Sequence, residues 1–263
     1  MREQLDLIVA GEWDVLVVLD ACRADAYQQV VGRSEVVRSP AVCTAGWIKA
    51  VWPVFARSEG VRYYNANPVV DRTLASMDVA PSTFELTPMW RSLWGRHGAG
   101  RIPSVHPQAI SGYIWANQCP IPTVVHYLQP HSPYIGDPPL ALTRWGGSGG
   151  GAGGEFGEAC CALTAPGRAV REGRTSWPEV REAYLGNLRL AWDAVQVLAG
   201  SFSDYRVVVT ADHGEVLGEH GGRFGHECGW DFPELRAVPW HVIEPCSRDE
   251  STTREKLEAL GYA

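Results

Sequence analysis

The chain has 263 residues and a formal net charge of −7, and 45% of its residues are hydrophobic and 20% charged. This length suits one large domain, expected over residues 1–263, whose core is large enough to fold without a metal or disulfide staple. The negative charge argues against a general nucleic-acid surface and against a polybasic membrane anchor.

Apolar runs and amphipathic segments alternate along the chain. A strand at residues 14–20 is followed by a helix at about 44–57, a strand at 61–67 and a third strand at 122–128. A long helix then begins after the N-cap Ser176, with Pro178 in its first turn and Gly200 as its terminator. A strand at 206–211 and a helix at 251–260 complete the series. This alternation predicts an α/β fold with a mostly parallel central sheet flanked by helices.

Seven of the ten residues at 145–154 are glycine, and the segment at about 145–157 is expected to form a flexible surface loop. It lacks the Lys-Ser/Thr sequence of a phosphate-binding glycine loop. The first apolar run, Val15 to Leu19, is too short for a signal peptide or a membrane span. We therefore expect a cytoplasmic protein with no integral membrane segment.

The seven cysteines agree with a cytoplasmic location. They are odd in number, scattered, and include the adjacent pair Cys160 and Cys161, which makes a poor disulfide framework. No CxxC pair is present, which argues against a structural zinc knuckle.

Acidic and histidine residues follow two of the predicted strands. Asp20 ends the first strand, and Asp212 and His213 follow the strand at 206–211. Each alone would be read as a strand or turn residue. Because ligands bind beyond the carboxyl ends of parallel strands, we expect the three side chains to meet there. Two carboxylates and an imidazole are suitable ligands for Zn, Mn, Mg or Ca.

The segment Ser39-Pro-Ala-Val-Cys-Thr44 offers three candidate nucleophiles, namely Ser39, Cys43 and Thr44. Thr44 opens a predicted helix, where free backbone N–H groups favour an anion, and a metal-bound hydroxyl loses its proton more easily. Cys43 is better interpreted as a small buried apolar residue.

The remaining histidines divide into two groups. His131 stands between two prolines directly after the third strand, which holds it in a rigid loop. His226 lies beyond a glycine pair and is able to fold back over the site. His220 is interpreted as a loop residue, and the other histidines as structural or exposed: His97, His106, His126 and His241.

These motifs resemble those of the alkaline phosphatase superfamily, in particular its sulfatase-like branch. VLVVLDACRADAY (15–27) is similar to the first-strand signature, and SPAVCTAGW (39–47) lies where that family keeps its nucleophile. HYLQPHSPYIG (126–136) is similar to the family's His-x-Pro segment, and VVVTADHGEVLGEHG (207–221) to its second metal motif. FGHECGWDFPELRAVPW (224–240) resembles the region that follows the second metal motif in that family. The segment at 257–262 resembles the C-terminal sequence of sulfatase-like chains.

The resemblance implies an alkaline-phosphatase-like sandwich and a metal-dependent hydrolase or transferase of phosphate-type esters. Asp20, Asp212, His213 and Thr44 would hold a divalent cation, and Thr44 would form a covalent phospho-threonine. His131 would stabilise charge, and His226 would assist the leaving group. His131 and His226 are also the candidates for a second metal site.

The sequence departs from the family pattern in three places. No Cys/Ser-x-Pro-x-Arg motif supplies formylglycine, Ala21 replaces the second first-strand aspartate, and Gln129 and His131 stand near the missing Asp-x-x-x-His motif.

Two alternatives remain, a sulfatase-like esterase on sulfate esters and a degenerate binding protein of the same fold. The expected partner is a small-molecule, glycan or lipid-head-group phosphate or sulfate ester rather than nucleic acid, and a homo-oligomer is left open.

Overall fold

The computed structural model describes residues 1–58, 60–77, 85–98, 100–142 and 165–246. The glycine-rich segment at 145–157, the adjacent cysteines and the helix expected at 251–260 lie outside the described residues.

Seven of the strands form one central sheet in the order β2-β11-β8-β1-β7-β3-β4, and the others pair as β5-β6 and β9-β10. The strands in chain order are β1 (Val15–Asp20), β2 (Glu35–Arg38), β3 (Arg62–Asn65), β4 (Glu85–Pro88), β5 (Trp94–His97), β6 (Ile102–Val105), β7 (Thr123–Pro130), β8 (Val207–Ala211), β9 (Val216–Leu217), β10 (Phe224–Gly225) and β11 (Ala237–Ile243). β1 pairs in parallel with β7 and β8, and β3 in parallel with β7 and β4. β11 runs antiparallel to both of its neighbours. The predicted α/β class with a mostly parallel sheet is confirmed.

The described residues also form ten helices. In chain order they are α1 (Gln4–Ala10), α2 (Ala24–Val30), α3 (Thr44–Phe55), α4 (Pro68–Ser76), α5 (Trp90–Leu93), α6 (Pro107–Asn117), α7 (Ala165–Arg171), α8 (Trp177–Ser201), α9 (Glu219–Gly222) and α10 (Pro233–Arg236). Within this described part, no helix has the length and apolar character needed to cross a bilayer.

Helices cover both faces of the sheet. The successive residues His126 and Tyr127 of β7 point to opposite faces, as strand geometry requires. The His126 ring contacts Trp47 of α3, which packs with α1 and α4. The Tyr127 hydroxyl lies 2.7 Å from Ser111 Oγ of α6, and Ser111 Oγ donates to the Ala194 carbonyl of α8 at 2.8 Å. The sheet therefore lies between a layer with α1, α3 and α4 and a layer with α6 and α8.

The N-terminus of the longest helix, α8, was predicted correctly from local sequence signals. Ser176 is the N-cap of α8, and its side chain and that of Glu179 form a capping box. Gly200, expected to follow the helix as its terminator, lies inside α8, which runs to Ser201. A glycine ends a helix when it adopts a left-handed conformation, and Gly200 is not among the residues with positive φ.

The interpretation of the cysteines needs a correction. Cys43 is bonded to Cys228 in a disulfide, across 185 residues of sequence. Cys43 is therefore buried, as expected, but not as a free apolar residue. Sequence spacing does not predict such a pairing, because the two residues meet only once α3 and the loop after β10 have packed at the same edge of the sheet.

Candidate active site

The two aspartates lie side by side because β1 and β8 are parallel neighbours. Leu19 is in register with Ala211, so Asp20 and Asp212 come next on adjacent strands. Both are fully buried, and His213 is buried with them. One ligand atom from each of the three lies within 4.8 Å of the others, a spacing that one cation spans.

Thr44 is the first residue of α3 and points into this cluster. Its Oγ1 donates to Asp212 Oδ2 at 2.8 Å and lies 3.2 Å from His213 Nε2. The Ser39 hydroxyl instead donates to the backbone carbonyl of Asp212, and Cys43 is in the disulfide. Of the three candidate nucleophiles, Thr44 is thus the one whose side chain contacts the acidic cluster.

Burial and their close approach shift the pKa values of all three titratable groups of the cluster. Burial and the nearby Asp212 raise the pKa of Asp20 well above its usual range. Burial also acts on Asp212, but His213 and the hydrogen bonds to the carboxylate hold the pKa of Asp212 well below its usual range. Burial lowers and the two carboxylates raise the pKa of His213, to about 9 overall.

One buried oxygen of the cluster has no hydrogen-bond partner, namely Asp20 Oδ1. Buried polar atoms without partners are rare in folded proteins, and buried carboxylates are costly unless a positive charge offsets them. Asp20, Asp212, His213 and Thr44 therefore fit a divalent cation, for which oxygen ligands with one imidazole are a suitable donor set.

Two further residues, Asn67 and His126, lie in the cluster and were not predicted to belong to it. Asn67 is the N-cap of α4; its Nδ2 donates to Asp20 Oδ2 and lies 3.4 Å from Thr44 Oγ1. His126 is fully buried, with its Nε2 3.9 Å from Asp20 Oδ2 and 3.7 Å from Asp212 Oδ2. The interpretation of His126 as structural or exposed therefore missed its place beside both carboxylates. A histidine within a buried apolar strand was the available signal, since such a group needs a polar partner.

A second cluster lies next to the first and contains the other two predicted histidines. One ligand atom each from His131, Glu215 and His226 lies within 4.8 Å of the others. The rings of His226 and His213 are 4.2 Å apart and those of His226 and His131 are 5.0 Å apart. His226 therefore folds back over the site, as its position after the glycine pair suggested.

Glu215 is the member of this cluster that sequence reasoning missed. It is fully buried, and its Oε1 is 2.9 Å from His226 Nδ1, while its Oε2 has no hydrogen-bond partner. Burial raises the pKa of Glu215, but His226 and His131 outweigh burial and hold it below its usual range. Burial, and next the neighbouring His226, lowers the pKa of His131 to about 4. A neutral imidazole and a carboxylate are ready metal ligands.

A cavity of about 230 Å³ opens directly onto Thr44. Thr44 and Asn67 lie on its wall together with His131 and His226. Arg72 of α4 and Trp94 also line it. The cavity thus gives a ligand access to the nucleophile candidate and to both clusters.

Several solved structures have a fold similar to that of this chain. The chain matches the integral membrane lipooligosaccharide phosphoethanolamine transferase A of Neisseria meningitidis with a TM-score of 0.57 and 13% identity, over 90% of this chain and 48% of that one. The soluble domain of the same transferase gives a TM-score of 0.53 and 14% identity, over 88% and 76% of the two chains. A 2-O GAG sulfatase gives a TM-score of 0.53 and 12% identity, over 88% and 64%. The chain has the fold of the alkaline phosphatase superfamily.

The structural matches confirm the fold that the motif resemblance implied. The chain spans about half the length of the full transferase. No protein-family model and no curated protein matches the sequence significantly. At 12–14% identity these structural matches establish the fold, and a fold does not by itself specify the chemistry of its site.

Proposed function

We propose that the chain is a metal-dependent hydrolase or transferase of phosphate-type esters that acts through a covalent phospho-threonine at Thr44. The observation that carries the proposal is the approach of Thr44 Oγ1 to Asp212 Oδ2, at 2.8 Å, inside a buried cluster that contains a second carboxylate and an imidazole. A hydroxyl held among cation ligands is positioned for activation as a nucleophile.

Asp20, Asp212, His213 and Thr44 would hold the cation, whose identity among Zn, Mn, Mg and Ca stays open. When bound, it would lower the pKa of the Thr44 hydroxyl and offset charge on the phosphoryl oxygens. The Thr44 proton already points at Asp212 Oδ2. Asn67 Nδ2, beside both Asp20 and Thr44, would keep the threonine rotamer and the first-strand carboxylate aligned.

The first turn of α3 would bind the substrate's anionic oxygens. Its N-cap, Cys43, makes no side-chain hydrogen bond to the turn, so the N–H groups of that turn are left for an anion. His131 lines the same cavity and would donate to a phosphoryl oxygen or hold a second cation. These groups stabilise charge where it develops during phosphoryl transfer.

His226 would act on the leaving group, by a hydrogen bond or as a ligand of a second cation. Its Nδ1 is engaged by Glu215, which leaves Nε2 as the ring atom available for substrate. After the ester oxygen departs, water would release the phosphate in a hydrolase, and an acceptor alcohol would do so in a transferase.

The substrate class is proposed from the site and from the neighbours together. The printed names of two neighbours describe a phosphoethanolamine transferase and a GAG sulfatase, which act on head-group or glycan esters. We propose a small-molecule, glycan or lipid-head-group ester for this chain, with phosphate preferred because Thr44 cannot form formylglycine. A cytoplasmic location stays a prediction.

The deciding experiment measures bound metal by elemental analysis and turnover of p-nitrophenyl phosphate monoester, phosphodiester and sulfate esters. It compares the wild type with the isosteric Thr44→Val and with Thr44→Ser as the matched control. We expect stoichiometric metal, phosphate-ester turnover that disappears in Thr44→Val and persists in Thr44→Ser, and an acid-stable phosphorylated peptide containing residue 44. Preference for sulfate would favour the sulfatase-like alternative. Absence of both metal and turnover with Zn, Mn, Mg and Ca would overturn the proposal in favour of a binding protein.

A further inference from the structure

The disulfide joins the two segments that carry the proposed nucleophile and the proposed leaving-group histidine. Cys43 directly precedes Thr44, and Cys228 lies two residues after His226; their Cα atoms are 5.3 Å apart. Both cysteines line the cavity in front of Thr44. The covalent bond is therefore part of the wall of the candidate active site.

The loop that carries His226 is held at its two ends by non-covalent contacts and is exposed between them. β10 ends at Gly225, which has a φ of +112°, and the next helix, α10, begins at Pro233. Residues 227–229 are exposed. The His226 side chain is tied by its hydrogen bond to Glu215, and farther along the loop Trp230 packs against a small apolar cluster. The disulfide at residue 228 lies between these two contacts and is the covalent restraint on the loop.

We propose that the Cys43–Cys228 disulfide is a positioning element that holds His226 over the Thr44 end of the cavity, so that the activity depends on oxidation of this cysteine pair. The inference rests on the proposed function and adds a redox dependence to it. The disulfide takes no part in the chemistry; it acts through His226.

The redox step needs a dithiol reductant. A thiolate of the reductant attacks the sulfur of Cys228, the residue of the pair that is exposed, and the Cys43 sulfur leaves as a thiolate that takes up a proton. The second thiol of the reductant then resolves the mixed disulfide and releases Cys228 as a thiol. Two electrons and two protons pass to the protein, and the reductant becomes a cyclic disulfide. Disulfides persist in oxidising compartments and are rare in a reducing cytosol. The activity would therefore be high in an oxidising compartment and low in a reducing one.

The test begins with a non-reducing peptide map, in which a linked pair of peptides containing residues 43 and 228 is expected and its absence would overturn the inference. The variant Cys43→Ala/Cys228→Ala is then compared with Cys246→Ala, a change at an exposed free cysteine. Alanine is chosen because serine at position 43 would be a strong N-cap and would compete for the first-turn N–H groups. Removing the disulfide, or reducing it with dithiothreitol, should lower kcat on an alkyl phosphate by about 10-fold or more, up to the ~10²–10⁴-fold that general acid–base catalysis contributes.

A double-mutant cycle separates positioning from general loosening. In a His226→Ala background, loss of the disulfide should cause no further fall in kcat, because the histidine through which it acts is gone. A cumulative fall in that background would show that the bond acts elsewhere and would overturn the inference.

Hydrogen exchange gives a readout that needs no turnover. Reduction should increase exchange in residues 226–232 and leave the peptides of β1 and β8 unchanged. Unchanged exchange in 226–232, or faster exchange throughout the chain, would contradict the inference. If the wild type turns over no ester, the proposed function fails, and the exchange experiment still decides whether the disulfide positions the His226 loop.

Discussion

Thr44 Oγ1 donates a hydrogen bond to Asp212 Oδ2 across 168 residues of sequence, and both side chains are buried. The contact exists because α3 begins at the sheet edge where β8 ends. It joins the candidate nucleophile to a candidate metal ligand, and the two backbone N–H groups of Ala21 and His213 satisfy the other oxygen of Asp212. The carboxylate is therefore fixed from both sides, which orients the threonine hydroxyl before a substrate arrives.

Asp20→Asn should weaken cation binding by more than about 100-fold, because it removes one of two buried carboxylates from the ligand set. The metal-free variant should be as stable as the wild type or more stable, since burial and Asp212 already disfavour the charged form of Asp20. Calorimetric metal titration and urea unfolding measure the two effects. Asp25→Asn, which alters an ion pair with Arg23 outside the cluster, is the control and should bind metal normally. Normal metal affinity in Asp20→Asn would contradict the assignment.

The stability of the metal-free protein should fall as pH rises from about 6.5 to above 9. The pKa of His213 is raised from 6.5 to about 9 in the folded state, so its stabilising contribution is complete below pH 6.5 and is lost above pH 9. The raised pKa of Asp20 likewise makes the folded protein less stable as the pH rises. Urea unfolding in the presence of a chelator should show a decline of on the order of 2–3 kcal/mol over this interval. His213→Gln should flatten the dependence of stability on pH. A stability that rises with pH over this interval would contradict the raised pKa of His213.

His226→Ala should slow the turnover of esters with poor leaving groups far more than the turnover of p-nitrophenyl esters, because a good leaving group departs without being protonated. A loss of about 10²–10⁴-fold on an alkyl phosphate is the range expected for general acid catalysis. Glu215→Gln should show the same selectivity with a smaller loss, since Glu215 contacts the His226 ring rather than the cavity. The slope of log kcat against leaving-group pKa is the measurement. Equal losses on all esters would assign His226 to another role.

Gly214→Ala should destabilise the protein strongly. A Cβ at this position would lie 1.9 Å from the backbone oxygen of Glu234, so the segment after His213 would have to move. Gly112→Ala is the matched control, because its Cβ would meet nothing within 4 Å on α6 and alanine favours a helix by roughly 0.5–1 kcal/mol. Thermal unfolding should therefore show a lower Tm for the first variant and an equal or higher Tm for the second.

Local patterns in the sequence were sufficient for strands β1, β3, β7 and β8, for helices α3 and α8, and for three members of the first cluster. The apolar runs that end in Asp20 and precede Asp212 are typical of strands buried on both faces, and parallel strands bring their carboxyl ends together. The helix that begins at Thr44 is also predicted from its local sequence. These predictions depend only on residues that are close together in the chain, so a single sequence is enough to make them.

The other residues of the site come together only through long-range packing. Asn67, His126 and Glu215 join the clusters because α4, β7 and the turn after Gly214 pack at one sheet edge, and the pairing of Cys43 with Cys228 depends on the same packing. Periodicity reports which face of an element is buried, whereas the register and packing of distant segments determine which buried side chains meet. Local sequence patterns therefore predict the strand tips and the helix that bears Thr44, whereas packing determines which side chains lie opposite them.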